Sequence, residues 1–357
     1  MKKPTAHALR DRAAALIIAG GFGARFWPAA RSDRPKPLFS LNGRTSLLDD
    51  TIARLPPLIP PERIFVLVPA ELEKVFAAAI ESKIPRANLL LEPDRRGTGV
   101  AIAYGAALIK SRLGDGLLAV MPADHYIYPA AAFRRTLAAG LRLADRNGSI
   151  VIIGVPPSRP DSAYGYLEVG APLAGGFRVK RFVEKPSVAV ARSMVRAGRF
   201  LWNAGMFLMS TVTLEAELRR HCPKLHAALD KLVRQGPGYQ RLYAGLDFDS
   251  FDYEVVEKSA NVAAVRAGFS WNDVGSWDGL WQTLRDGSGN ALSGNVVAMD
   301  SRQVLARGDE RLMVLLGVED LIVVDTPDAL LIANRERTQD VKRVIAELRR
   351  RKLTGYI

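Results

Sequence analysis

The feature that most constrains this chain is Leu16-Ile17-Ile18-Ala19-Gly20-Gly21-Phe22-Gly23-Ala24-Arg25-Phe26-Trp27-Pro28, followed by Arg34-Pro35-Lys36-Pro37. A short apolar run, the length of a buried parallel strand, ends in three glycines within four residues. Glycine there lets the backbone turn with positive φ and lets a ligand approach with no Cβ in the way. Successive N–H groups in such a turn form an anion nest. Arg25 and Lys36 add full positive charge beside it, one as a planar fork and the other as a point charge. Proline on both sides of Lys36 restricts the backbone and aims the lysine. Strand, glycine turn and converging cations predict a triphosphate site. Two other glycine loops are excluded, because no Gly-Lys-Ser/Thr closes the stretch and Phe26 stands where the dinucleotide fingerprint needs its third glycine.

Apolar strands and amphipathic helices alternate after this motif. Strands are expected at Ile64 to Val68, Leu89 to Glu92, Leu117 to Met121 and Ser149 to Val155. Helices are expected at Glu71 to Ser82, Thr98 to Lys110 and Ala131 to Arg146. This alternation predicts an α/β, Rossmann-like, mostly parallel sheet with ligands at the strand C-terminal ends. Shorter antiparallel strands are expected from Tyr164 to Val183, then helices at Ser187 to Ala197 and Val212 to Gln235. Asp286-Gly287-Ser288-Gly289-Asn290 reads as a linker. Beyond it come short apolar runs at 295–299, 304–307, 312–316, 321–324 and 330–333, which predict a small β domain. An amphipathic helix with Val341, Val344, Ile345 and Leu348 on one face closes the chain. The division expected is 1–288 for catalysis and 289–357 for assembly.

A length of 357 residues is ample for a core, and a net charge of +13 points to polyanionic partners, with phosphorylated small molecules the class that the glycine motif favours. No nucleic-acid recognition module is present in the sequence. The lone Cys222 excludes an internal disulfide and fits a reducing cytosol. No stretch approaches the ~20 apolar residues of a membrane span. The run after Met1-Lys2-Lys3 is short and continues into the glycine motif, so a cytoplasmic protein is expected, with no membrane partner.

Gly-Gly-Phe-Gly-Ala-Arg-Phe-Trp-Pro…Arg-Pro-Lys-Pro resembles the signature of the nucleotide-sugar pyrophosphorylases. The Trp-Pro ending is similar to that of their mannose-1-phosphate guanylyltransferase branch. The resemblance implies a Mg²⁺-dependent nucleotidyltransferase that joins GTP and mannose 1-phosphate into GDP-mannose. It also implies that the C-terminal segment is a short left-handed β-helix, often used in dimer contacts, and hence a homodimer. The chain departs from the branch at Arg96-Gly97-Thr98-Gly99-Val100-Ala101 and at Asp161-Ser162-Ala163. Rival expectations are a same-fold enzyme for another sugar or triphosphate, and a catalytically silent sugar-nucleotide sensor.

Site residues follow from chemistry and resemblance together. Arg25 and Lys36 are the expected catalytic cations, and Gly20, Gly21 and Gly23 the nucleotide cradle. Asp124, in Pro122-Ala123-Asp124-His125, sits just past a buried strand and suits Mg²⁺, which takes one or two carboxylates plus phosphate oxygens. Asp273, in Trp271-Asn272-Asp273-Val274-Gly275-Ser276-Trp277, is its expected partner, and both motifs match the family's metal-binding aspartates. Glu92 can accept from both N1–H and the 2-amino group of guanine, a donor pair that adenine lacks. By resemblance, Gly165, Glu184, Lys185 and Asn203 hold the sugar phosphate. Gly97 and Gly99 are expected to preserve a backbone approach to the base, and the segment after Asn290 to contribute no catalytic group.

Overall fold

The computed structural model describes residues 6–41 and 43–357, arranged in two compact units. The first is built from residues up to Gly20, 52–123 and 127–271, and the second from 21–51, 124–126 and 272–357.

The first unit holds a nine-stranded sheet. Its strands are β1 (Ala13–Ile18), β2 (Ile64–Pro69), β3 (Leu89–Glu92), β4 (Leu117–Pro122), β5 (Ile150–Val155), β6 (Tyr166–Leu173), β7 (Gly176–Val183), β8 (Phe200–Ser210) and β9 (Val262–Arg266). They lie in the order β3-β2-β1-β4-β8-β5-β9-β7-β6. The first four pair in parallel, with Ile17 opposite both Val66 and Met121. β2 and β5 are buried at every position, so their sequences read as unbroken apolar runs without alternation. Helices Gly97–Leu113 and Ala130–Asn147 cross between strands, as the alternation predicted.

The sheet is mixed where a mostly parallel one was expected. β8 runs antiparallel to β4 and to β5, and β9, parallel to β5, pairs antiparallel with β7. Neither β8 nor β9 was among the expected strands. Asn203 and Gly205 interrupt the apolar run of β8, and its pairing with β5 shifts register between Ile152 and Gly154. The helix expected over 212–235 is two helices, Thr211–His221 and Pro223–Arg234. Pro223 has no N–H to continue the first helix but fits the opening turn of the second.

In the second unit the C-terminal strands are β10 (Ala291–Ser293), β11 (Val296–Met299), β12 (Leu305–Arg307), β13 (Met313–Leu316), β14 (Leu321–Asp325) and β15 (Leu330–Asn334). β10, β12 and β14 pair in parallel, as do β11 and β13, while β15 turns back antiparallel on β14. Strands that pair with the next but one in the chain form the coils of a β-helix-like domain. Val304, Ala306, Leu315 and Val323 fill its interior. The terminal helix Val341–Arg350 buries Val341 and Ile345 in one core with Phe26, Trp27, Phe39, Trp277 and Trp281. The glycine-rich segment and the C-terminal segment therefore fold around the same apolar centre. No helix among the described residues is long and apolar enough to cross a membrane.

Candidate active site

In the second unit, the glycine turn and the Arg-Pro-Lys-Pro segment meet. Gly23 has φ +73°, and a Cβ on it would collide with the Cβ of Lys36, so both its conformation and its missing side chain are required. Pro35 is extended, and Lys36 then opens a short helical turn, Lys36–Leu38. Lys36 is only 6% exposed. Its Nζ lies 2.7 Å from Asp124 Oδ2, donates to the Asp273 carbonyl at 2.8 Å, and stands 5.5 Å from the centre of the Phe26 ring. A 400 Å³ cavity opens here, lined by Arg25, Lys36, Asp124, His125, Asp273 and Lys342, among others. Burial alone would push the Asp124 carboxyl up. The charges of Lys36 and then His125 outweigh it and hold the group below the usual carboxylate range.

Asp273 is placed by a strained turn. Its Oδ1 accepts from Gly275 N at 3.1 Å, Asn272 Oδ1 accepts from Val274 N at 2.7 Å, and Val274 takes φ +47°. A β-branched residue in the left-handed region is costly, and such strain is characteristic of functional turns. Ser276 caps helix Trp277–Leu284, and Trp277 packs against Phe26 and Phe39 while donating to the Trp27 carbonyl at 3.2 Å. This tryptophan is an anchor, which leaves the aspartate and Gly275 to face the cavity.

The first unit holds the remaining residues in two clusters. Glu92, the last residue of β3, is 5% exposed, and its Oε1 accepts from the Tyr243 hydroxyl at 2.7 Å. Tyr243 packs edge-on against Tyr104, whose hydroxyl accepts from Gln235 Nε2 at 2.9 Å. Burial raises the Glu92 carboxyl, opposed by the Tyr243 hydroxyl and the Arg96 N–H. Gly20 stands over the second oxygen, since a Cβ there would lie 3.9 Å from Glu92 Oε2. At Gly99 a Cβ would strike the Phe248 ring and the Asp249 carbonyl, so packing by itself already requires a glycine there.

In the other cluster, Gly165, Glu184 and Lys185 come together where β6 begins and β7 ends, beside Asn203 within β8. Asn203 N donates to the Gly165 carbonyl at 2.8 Å. Asn203 Oδ1 accepts from Gly205 N at 2.9 Å, and Nδ2 donates to Asp252 Oδ1 at 2.7 Å. Lys185 Nζ pairs with Glu184 Oε1 at 2.9 Å while its backbone holds φ +43°. Glu184 Oε2 is buried with no hydrogen-bond partner among the described residues, and a Cβ on Gly165 would run into it. A buried acceptor left open beside a bare glycine is what a hydroxylated ligand would complete. Tyr164, Trp202 and Trp271 form an aromatic wall with ring centres 5.1–6.5 Å apart.

Three residues of these clusters were not expected from the sequence. Lys342, on the terminal helix, lines the Lys36 cavity, in a segment that was expected to contribute no catalytic group. Tyr243 holds Glu92. Asp252 opens a π-helical turn, Asp252–Val256, a distortion common at functional sites, and burial and then Glu184 push its carboxyl up to about 6. Their sequence contexts carry no motif.

Comparison with known proteins supplies the family. The Nucleotidyl transferase family pattern matches residues 14–289, and the MannoseP isomerase/GMP-like beta-helix domain matches 294–348. The chain belongs to the nucleotidyl transferase family. A mannose-1-phosphate guanylyltransferase of Escherichia coli is 35% identical over 361 residues, covering 96% of this chain and 75% of that one. The alginate biosynthesis protein AlgA of Pseudomonas aeruginosa is 36% identical, covering 93% of this chain and 71% of its own. A crystal structure described as mannose-1-phosphate geranyltransferase from Thermus thermophilus superposes with a TM-score of 0.88 at 36% identity, covering 95% of this chain and 99% of that one. This family member therefore carries both domains that its relatives' patterns describe.

Proposed function

We propose that this nucleotidyl transferase makes GDP-mannose and pyrophosphate from GTP and mannose 1-phosphate. An oxygen of the sugar 1-phosphate attacks the α-phosphorus in line, the bond to the bridging α–β oxygen breaks, and pyrophosphate leaves with that oxygen's electron pair. Such a reaction needs positioning and charge neutralisation more than covalent help. Lys36 and Arg25, joined by Lys342, neutralise the triphosphate and the charge gathering on pyrophosphate, while Gly20, Gly21 and Gly23 admit the phosphates to the backbone. Glu92, steadied by Tyr243, accepts from guanine. Glu184 and Asp252 accept sugar hydroxyls, with Gly165 making room and Asn203 held between backbone and Asp252; Lys185 meets the sugar phosphate.

Two carboxylates in one cavity beside a phosphate-binding turn suit Mg²⁺, so Asp124 and Asp273 would hold it. When bound, it would supply further positive charge to the phosphate oxygens. The exposed apolar side chains Val297, Met299, Val314 and Leu316 on β11 and β13 support a homodimer, and the single, free and buried thiol of Cys222 fits a reducing, cytoplasmic setting.

The observation that carries the reading is the meeting of Lys36, Asp124 and Asp273 in one cavity. A panel of nucleoside triphosphates against sugar 1-phosphates, scored by pyrophosphate release, tests it. GTP with mannose 1-phosphate is expected to give the highest kcat/KM. Absence of pyrophosphate release with every pair would refute an enzyme and favour the silent sensor.

A further inference from the structure

Asp273 sits in a turn that its own residues do not favour, so the surroundings must hold it. Val274 takes φ +47°, and backbone strain of this kind persists only where the neighbouring structure over-determines it. Both ends of the turn are fastened to one residue. Asn272 Nδ2 donates to the Gly279 carbonyl at 3.4 Å, and Gly279 N donates to Ser276 Oγ at 3.2 Å. Gly279 belongs to helix Trp277–Leu284, whose eight residues are too few for a helix to be stable by itself. The strained turn is therefore only as firm as whatever packs that helix in place.

Trp277 anchors the helix to the glycine-rich segment. A second hold comes from Arg335, which follows β15 and has a side chain only 18% exposed. Its Nη1 donates to Asp278 Oδ1 at 2.9 Å, and its guanidinium carbon lies 4.1 Å from the centre of the Trp281 ring. Asp278 and Trp281 are three positions apart, hence neighbours on the helix surface. The other side of the fork reaches the β-helix-like domain, where Nη2 donates to Asp320 Oδ1 at 3.0 Å and to Gln303 Oε1 at 3.3 Å. Arg302 and Glu319 pair in parallel, so Gln303 and Asp320 are matching corners of successive coils, with φ +55° and +53°. The Asp320 carbonyl also accepts from Arg335 N at 2.8 Å. A planar fork committed to two carboxylates, an amide and an aromatic face cannot rotate toward one partner without leaving another. Arg335 is thus a strut between the coils and the helix on which the Asp273 turn is built.

We propose that Arg335 is a positioning residue, which braces helix Trp277–Leu284 against the β-helix-like domain and through it keeps Asp273 aimed into the cavity. The C-terminal domain then sets the reaction rate mechanically, by way of a side chain that touches no substrate. The effect on rate rests on Asp273 as a group of the proposed active site; the bracing of the turn does not.

Amide hydrogen exchange and single-turnover kinetics of the full chain test the two parts. In Arg335→Gln, exchange at Val274 and Gly275, whose N–H groups bond Asn272 Oδ1 and Asp273 Oδ1, is expected to quicken by about tenfold. Exchange in the sheet of the first unit should stay as it was. The single-turnover rate constant, which unlike its amplitude does not register a fraction of unfolded protein, should fall about tenfold or more, since small misplacements of a catalytic group are costly. A residue that acts through Asp273 must lose its effect once Asp273 is changed. Asp273→Asn keeps an oxygen acceptor for the turn, and adding Arg335→Gln to it should slow the reaction little further. Adding Arg335→Gln to Arg25→Gln should instead multiply the two losses. Asp278→Asn weakens one arm of the fork and leaves Asp320 and Gln303 in place. It should repeat both effects at smaller size, and it carries the test if Arg335→Gln does not fold. Unchanged exchange at Val274 and Gly275 in these variants would overturn the proposal. So would a rate loss that multiplies in full with that of Asp273→Asn, or one that disappears only in a Lys342→Ala background, because the turn that Arg335 opens also leads to Lys342. Failure of the enzymatic reading would show separately, as no pyrophosphate release by the wild type, and exchange would still decide whether Arg335 holds the turn.

Discussion

Asp124 and Glu92 are both carboxylates at the ends of parallel strands, and the protein treats them in opposite ways. Asp124 meets Lys36 at 2.7 Å and is held below its usual range despite its burial. Glu92 meets a neutral hydroxyl, Tyr243, and burial lifts it. Asp252, close to Glu184, is lifted further, to about 6. The cation-rich cluster suits ligands that are strongly anionic, where charge must be cancelled. The other two clusters suit donors such as ring N–H and sugar hydroxyls, where a carboxylate with few competing partners discriminates best.

The comparison breaks most sharply at Lys36. Lys36→Ala is expected to lower the single-turnover rate by two or more powers of ten, roughly the effect of deleting a charge-stabilising donor, with a smaller loss of GTP affinity. It should also turn Asp124 into a carboxylate like Glu92. With its largest opposing charge gone and His125 left as the main charge against burial, its pKa should rise, which a carboxyl NMR titration would report. Lys36→Arg should fail as well, because Gly23 packs so closely on the Lys36 stem that a longer fork has no room to be re-aimed. Near-normal turnover in Lys36→Ala would remove this lysine from the mechanism.

Glu92→Gln tests the other side. It replaces an acceptor with a donor toward the base, and GTP preference should fall about tenfold, since one mispaired buried hydrogen bond costs ~1–3 kcal/mol. Tyr243→Phe leaves the carboxylate without its hydroxyl donor and should produce a smaller loss in the same direction. If Glu92→Gln keeps full GTP preference, the Tyr243–Glu92 pair is a structural brace and base reading belongs to the backbone.

Lys342→Ala sharpens the comparison more gently. The terminal helix adds a third cation to a cavity that Lys36 and Arg25 already serve, so a loss of severalfold in kcat is expected, diminishing at high salt. Unchanged kcat at low salt would return this helix to a purely packing role.

The residues that the sequence revealed are those whose roles are local. The glycine turn, Lys36 between prolines and Asp124 past its strand are each set by neighbours within a few positions. What escaped depends on distant partners. Tyr243 reaches Glu92 across 151 positions, and Asp252 reaches Asn203 across 49. β8 was hidden because a strand buried on both faces shows no alternation and its run is broken by Asn203 and Gly205. The 1–288 and 289–357 division followed composition. Compactness instead gathers 272–357 with 21–51, because Val341 and Ile345 pack with Phe26 and Trp277, a pairing that no local pattern announces.

The smallest effect on rate, and the most diagnostic of the cluster around Glu184 and Asn203, is expected from Asp252→Asn. The amide keeps an acceptor for Asn203 Nδ2 but removes the charge that faces Glu184. The native carboxyl titrates at about 6 and an unfolded one at ~3.9, so between those pH values the native state binds more protons. Stability from this group is therefore full below pH ~4 and is lost as pH rises to 6. Above pH 6 the wild type carries the whole cost of the buried charge, and Asp252→Asn should be more stable by about 1–2 kcal/mol, the nominal value being discounted for partial exposure. At pH 4 the two should unfold at the same denaturant concentration. The sugar 1-phosphate itself titrates near pH 6, so the kinetic counterpart is a difference between proteins. The KM for mannose 1-phosphate should fall more steeply between pH 5 and 7 in the wild type than in Asp252→Asn, because only the ionised aspartate is a full acceptor for a sugar hydroxyl. A stability difference independent of pH would show that Asp252 ionises in the native protein as it does in the unfolded chain, and parallel KM profiles would show that it takes no part in holding the sugar.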